Sequence, residues 1–150
     1  MATIDKLVMS LKRRREIGDA DDLERWRRDV KRLLDMTEGT LLPAVREGLV
    51  LVQRFPLTLT TVDGMAYDTE MLHIFVGSEK AELRPKSDLK GGMGMHGTAN
   101  LSGPCKDVEF IRICGTTESQ WQVYNGRGVV HLSDELLIES LADALGITIQ

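Results

Sequence analysis

The stretch that decides the fold is MLHIFVGSEKAELRP, residues 71–85. Residues 71–76 are largely apolar on both sides of an extended chain, which predicts a strand inside a sheet. Gly77 and Ser78 predict a turn, and residues 80–84 alternate between apolar and charged side chains before Pro85. This alternation predicts a second strand with one face in water. The stretch therefore predicts an antiparallel hairpin within a β-sheet.

Similar signals extend the sheet in both directions along the chain. Residues 57–62 are rich in strand formers and lead into Asp63-Gly64, a tight-turn pair. A second such pair, Asn125-Gly126, follows a strand predicted at residues 119–124. Together these signals predict an antiparallel meander of six to seven strands, the others lying at residues 98–101, 108–114 and 129–132.

Helices are predicted on both sides of the meander. Ser133 is a suitable N-cap for a closing helix that ends at Gly146 and covers one face of the sheet. At the other end of the chain, two or three helices are predicted. The first covers residues 4–16 and the second begins after Gly18. A break near Gly39 and Pro43 predicts a third segment over residues 41–53.

The fold class predicted is therefore α+β: N-terminal helices, an antiparallel meander and a C-terminal covering helix. The chain of 150 residues is 42% hydrophobic and 28% charged, which is typical of one globular domain. Within it we expect a helical arm over residues 1–40 and an α+β core over residues 41–150. No apolar run is long enough to span a bilayer, and the first residues lack the features of a secretory signal, so we expect a cytoplasmic protein.

Apolar residues recur at helical spacing along the predicted arm. Ile4, Leu7, Val8 and Leu11 form one stripe on the first helix. The second helix carries a short seam with spacings of three and four residues, typical of helix pairing. These stripes require a partner surface, which is another arm helix, the sheet or another chain. The residues predicted to carry an interaction are Leu23, Trp26, Val30 and Leu33.

Basic residues are concentrated in the first third of the chain. Residues 1–54 hold twelve basic and ten acidic side chains, whereas residues 55–150 hold seven and thirteen. Helical geometry places Arg25, Arg28 and Arg32 on one side of the second helix, which predicts a candidate contact for an anion such as a nucleic-acid phosphate. Acidic residues interleave with these arginines, and few aromatic side chains are present for stacking on bases.

Residues 92–97, GMGMHG, match the spacing G-x-G-x-x-G of dinucleotide-binding loops. That function requires a preceding strand and a following helix, and neither is predicted here. We therefore interpret the segment as a connection between strands. Its candidate functional residues are Met93, Met95 and His96, the last being the position where a catalytic histidine would be sought first.

No catalytic, cofactor or metal site is predicted. The histidines at positions 73, 96 and 131 lie in different predicted elements, and none has a second ligand at metal-binding spacing. Cys105 and Cys114 cannot form a tetrahedral zinc site alone. The leading hypothesis is a non-enzymatic protein-interaction module that associates with another protein or with itself, a dimer being the expected state. The alternatives are nucleic-acid binding by the arginine face and a small enzyme built around residues 92–97.

Overall fold

The computed structural model describes residues 2–61, 64–86, 95–114, 119–124 and 128–148; the side chains of residues 2, 10–22, 95, 96 and 114 lie outside this description. In chain order the elements are α1 (Ala2–Arg46), β1 (Leu51–Thr60), β2 (Ala66–Val76), β3 (Glu79–Pro85), β4 (Met95–Ser102), β5 (Asp107–Cys114), β6 (Ser119–Tyr124), β7 (Val129–His131) and α2 (Asp134–Leu145). None of the helices in these residues combines the length and apolar character needed to cross a membrane.

The strands form one antiparallel sheet in the order in which they follow along the chain. The hairpin at residues 71–85 is present, with Leu72 opposite Leu83 across β2 and β3. Each later strand pairs with the one before it, up to Val130 opposite Val123. The predicted α+β class and the antiparallel meander are thereby confirmed.

The N-terminal helices are the part of the fold that requires correction. One continuous helix, α1, replaces the two or three predicted, because it passes through Gly18, Gly39 and Pro43 without a break. Pro43 lies in the last turn of α1, so only a few helical residues follow the backbone hydrogen bond that proline removes. The helix ends before Gly48, whose φ of 75° suits only glycine well. Residues 51–53, predicted as helix, belong to β1 because they pair with β2.

The core lies on one face of the sheet, where both helices pack. Leu83, Leu101, Phe110 and Val123 point to this face from successive strands, and they form one buried cluster with residues of α1 and α2. Part of the predicted arm is therefore in the core, and α1 crosses residue 40 as unbroken helix. The division into an arm of residues 1–40 and a core of residues 41–150 stays a prediction.

The closing helix α2 has the ends that the sequence predicts. The Ser133 side chain accepts a hydrogen bond from the Leu136 N–H at 3.2 Å, and Gly146 ends the helix with a φ of 74°. The turn before β5 packs tightly against this end, because a Cβ on Gly103 would lie 2.1 Å from the Ala144 carbonyl oxygen. Glycine at position 103 thus allows the turn and α2 to meet.

Candidate functional site

The predicted interaction seam lies largely inside the chain's own core. Trp26, Val30 and Leu33 are at most 1% exposed, and Leu23 is partly buried against the same cluster. The sequence left three partner surfaces open for these residues: another arm helix, the sheet or another chain. In the structure they pack on the sheet. In this structure these buried side chains are not exposed to a second protein.

Trp26 is the centre of a polar cluster between α1 and the sheet. Its indole Nε1–H donates to the Tyr67 hydroxyl at 3.0 Å. Its ring lies 5.9 Å from that of Trp121, whose Nε1–H donates to the Asp29 backbone carbonyl at 3.0 Å. Both indole donors are thus satisfied in the interior, as buried tryptophans require.

A buried ion pair completes this cluster. The Arg112 Nε lies 2.8 Å from the Asp29 Oδ2, and the two side chains are 2% and 8% exposed. The Arg112 guanidinium also lies 5.3 Å from the centre of the Trp26 ring. The sequence analysis did not predict this pair. The available signal was the spacing of two residues from Val108 to Phe110 and from Phe110 to Arg112, which places all three side chains on the inward side of β5.

Two of the three arginines of the candidate anion contact line clefts, and these clefts are different ones. Arg28 lines a cleft toward β2 together with Arg27 and Lys31, whereas Arg32 borders a cleft toward β6 and β7. Arg25 is partly buried. Three carboxylates line the same cleft as these three cations: Glu24 of α1 and Asp68 and Glu70 of β2. This balance of charge reduces the attraction of the cleft for a phosphate backbone.

Arg54 of β1 is held by three carboxylates near the end of α1. It forms hydrogen-bonded ion pairs with Asp35 and Glu38, and Glu70 lies 3.8 Å away. Burial by itself would lower the pKa of Arg54, but the hydrogen bonds with Glu38 and Asp35 outweigh it and raise the pKa. The cluster connects α1 with the first hairpin, which is a structural role.

The glycine-rich segment lies mostly outside the described residues, and Met93 is among those not described. Met95 and His96 begin β4, so the backbone there is a strand. Gly97 has a φ of 114°, and a Cβ at this position would lie 2.6 Å from the Trp26 ring. The structure thus gives the last glycine of GMGMHG a packing role beside Trp26.

The outer face of the sheet, opposite the helices, carries a small aromatic group. The His73 ring lies 4.5 Å from Phe55 and 6.1 Å from Phe75. The His73 Nε2 is 3.4 Å from the Glu82 Oε1, and Lys80 Nζ is 3.0 Å from the same oxygen. The hydrogen bond with Lys80 is the main reason why the pKa of Glu82 is lowered.

A pH-dependent contribution to stability follows from Glu82. Because its pKa in the folded chain is below the ordinary value of 4.5, its ionised form stabilises the fold above that pH, and this contribution disappears as the pH falls through the folded pKa. We expect Glu82→Gln to be slightly less stable than wild type at pH 7, and the difference to shrink as the pH falls below 4.5. Urea unfolding over this pH range measures the difference, and a difference that does not change with pH would contradict the expectation.

The first turns of α1 carry an apolar stripe that the part of the chain described by the structure leaves exposed. Ile4, Leu7 and Val8 are 65%, 57% and 45% exposed, and these three residues are named here the arm stripe. Val8 and Trp26 are about five helical turns apart, so both lie on the same side of α1. The arm stripe thus continues the buried face of α1 past the point where the sheet covers it.

A cleft of about 510 Å³ lies between α2 and strands β5 and β6. Val108, Val123 and Leu136 line it with apolar surface, and the first two are buried. Its charged residues are four carboxylates and one ammonium: Asp107, Glu109, Glu139, Asp143 and Lys106. We name it the acidic cleft.

In the part of the chain that the structure describes, no three His, Cys, Asp or Glu side chains are grouped so that they could hold a metal ion. Comparison of the chain with protein-family models, with curated proteins and with solved structures finds no match.

Proposed function

We propose that this chain is a non-enzymatic interaction module that self-associates through the N-terminal turns of α1. The observation that carries the proposal is the exposure of the arm stripe on a helix whose later turns are anchored in the core. The same face of one helix is buried at Trp26 and uncovered at Val8. A second protein surface would complete the burial.

Physical chemistry favours such a partner. A helix without tertiary contacts is only marginally stable in water, and most helical stability in proteins comes from packing of an apolar face. Fully burying one Val or Leu side chain contributes about 1.5–3 kcal/mol. Three such residues at a spacing of three and four positions form a continuous contact surface on the helix. A copy of the same chain is the partner that is always present at equal concentration.

The arginine face supports nucleic-acid binding less well. Its residues line separate clefts, and carboxylates of α1 and β2 oppose Arg27, Arg28 and Lys31. Phosphate contacts require cations that remain available to the backbone of the nucleic acid. The arm stripe needs no such rearrangement to meet a partner, since it is already exposed.

The test compares two neighbouring apolar residues by absolute mass in solution. Val8→Asp places a charge in the arm stripe, whereas Met9→Asp places the same charge on the other side of the helix, where Met9 is 59% exposed. We expect wild type and Met9→Asp to form dimers or larger species in light scattering on a size-exclusion column. Val8→Asp should weaken the association about 10- to 100-fold, since burial of one Val is lost.

Circular dichroism serves as the folding control for both variants, and their thermal stability as monomers should match because both residues are exposed. A wild-type chain that is monomeric at 100 μM in low and high salt would overturn self-association. Equal dimerisation of Val8→Asp and Met9→Asp would show that the arm stripe is not the contact.

A further inference from the structure

We propose that the arm stripe of one copy docks in the acidic cleft of a second copy. The proposal rests on the self-association proposed above and names the surface that receives residues 4–15 of α1, which are called the arm in this subsection. Its basis is a match of apolar surface, charge and length between two parts of the same chain.

The acidic cleft offers apolar contact to an incoming helix. Val108 and Val123 form its floor from neighbouring strands, and Leu136 of α2 forms one side. Side chains such as Leu7 and Val8 could be removed from water here without displacing any residue of the core.

The charges around the cleft are predominantly negative. Among the described residues, Asp107, Glu139 and Asp143 have no cation within ion-pair distance, whereas Glu109 is paired with Lys86 at 3.1 Å. The α2 sequence, DELLIESLADAL, contains four acidic residues and no basic one. A partner with positive charge next to its apolar residues would therefore be attracted to this side of the molecule.

The arm has this composition. In the sequence, the arm stripe is followed by Leu11 and then directly by Lys12-Arg13-Arg14-Arg15, within the same continuous helix. Apolar residues and cations thus succeed each other over residues 4–15. A helix of this kind fits a groove that has an apolar floor and an acidic rim.

Residues 4–15 and helix α2, which borders the acidic cleft, also agree in length. Residues 4–15 and helix α2 each comprise twelve residues, and both therefore extend over about 18 Å. The arm projects away from its own core, because Val8 lies about 27 Å along the helix axis from the buried Trp26. Since α1 is unbroken, the arm reaches a cleft on another copy more readily than its own.

The first experiment reverses the charge of the acidic cleft. The double variant Glu139→Lys and Asp143→Lys raises the net charge by four, and both residues are exposed, so the fold should be retained. The matched control, Glu47→Lys and Glu79→Lys, makes the same change in charge at exposed positions outside the cleft. We expect the cleft variant to be monomeric and to lose at least ten-fold in dimer affinity, while the control remains associated.

The second experiment mixes two variants of the chain. Val8→Asp keeps an intact cleft, and the cleft variant keeps an intact arm, so an equimolar mixture of these two chains should form a heterodimer that neither forms alone. Sedimentation velocity with one chain fluorescently labelled measures it. A heterodimer supports the proposal.

Two other outcomes separate this proposal from the one on which it rests. If Val8→Asp is monomeric while the cleft variant still associates, self-association through the arm stands and docking in the acidic cleft is wrong. If Val8→Asp and the cleft variant both associate like wild type, or wild type is monomeric, both proposals are wrong.

Discussion

Replacing Arg112 with Met is expected to destabilise the fold by about 3–5 kcal/mol, because it leaves the buried Asp29 carboxylate without its ionic partner. The two charges are 2.8 Å apart and almost fully removed from water. The cost of an unpaired interior charge exceeds what the additional apolar surface of Met can contribute. Urea unfolding followed by tryptophan fluorescence measures the change, since Trp26 and Trp121 both belong to this cluster.

The matched control is Arg32→Met, which removes another arginine near the same carboxylate. The Arg32 Nη1 is 3.9 Å from the Asp29 Oδ1 and its side chain is 61% exposed. Exposed pairs contribute about 0–1 kcal/mol, so this variant should unfold nearly like wild type. The double variant Asp29→Leu with Arg112→Met should regain much of the loss. Equal losses for Arg112→Met and Arg32→Met would contradict the assigned role of the buried pair.

Replacing Gly97 with Ala is expected to cost at least about 2 kcal/mol, from two separate sources. A φ of 114° is strained for any residue with a Cβ, at about 1–3 kcal/mol. In addition, the new Cβ would lie 2.6 Å from the Trp26 ring, and such overpacking adds about 1–3 kcal/mol. Thermal unfolding and near-UV circular dichroism, which reports the tryptophan environment, measure the result.

Gly64→Ala separates these two sources. Gly64 also has a positive φ, 89°, but among the described residues, its chain neighbours aside, no atom lies within 4 Å of the position of its Cβ. It should therefore show the backbone cost alone and leave the near-UV spectrum unchanged. If Gly97→Ala is no less stable than Gly64→Ala, the contact of residue 97 with Trp26 is not an important part of the packing.

Local signals in the sequence were sufficient for most of the sheet and for α2. Alternation in residues 80–84 and the capping pair of Ser133 and Gly146 act within a few residues, and the structure contains both elements. The division of the N-terminal helices at Gly18 and near Gly39 and Pro43 was wrong, because α1 passes through all three positions. Glycine and proline disfavour a helix locally, but most helical stability comes from packing, and α1 is packed against the sheet over residues 26–37.

The candidate site could be predicted only in part from the sequence. Spacing correctly grouped Trp26, Val30 and Leu33 on one side of a helix, but it could not distinguish the chain's own sheet from another chain as their partner. Trp26, Val30 and Leu33 are buried against the sheet, whereas the arm stripe on the same helix is exposed. The acidic cleft had no signal in the sequence, because its residues come from β5, β6 and α2.

The sequence by itself therefore determined the elements whose causes are local: the period of the strands, the turns between them, the caps of α2 and the apolar face of α1. Only the tertiary structure decided which part of that face is covered, that Arg112 meets Asp29 and that Gly97 meets Trp26. These contacts join residues far apart in the chain, and their energies depend on distance and burial, which arise only when the sheet closes over α1.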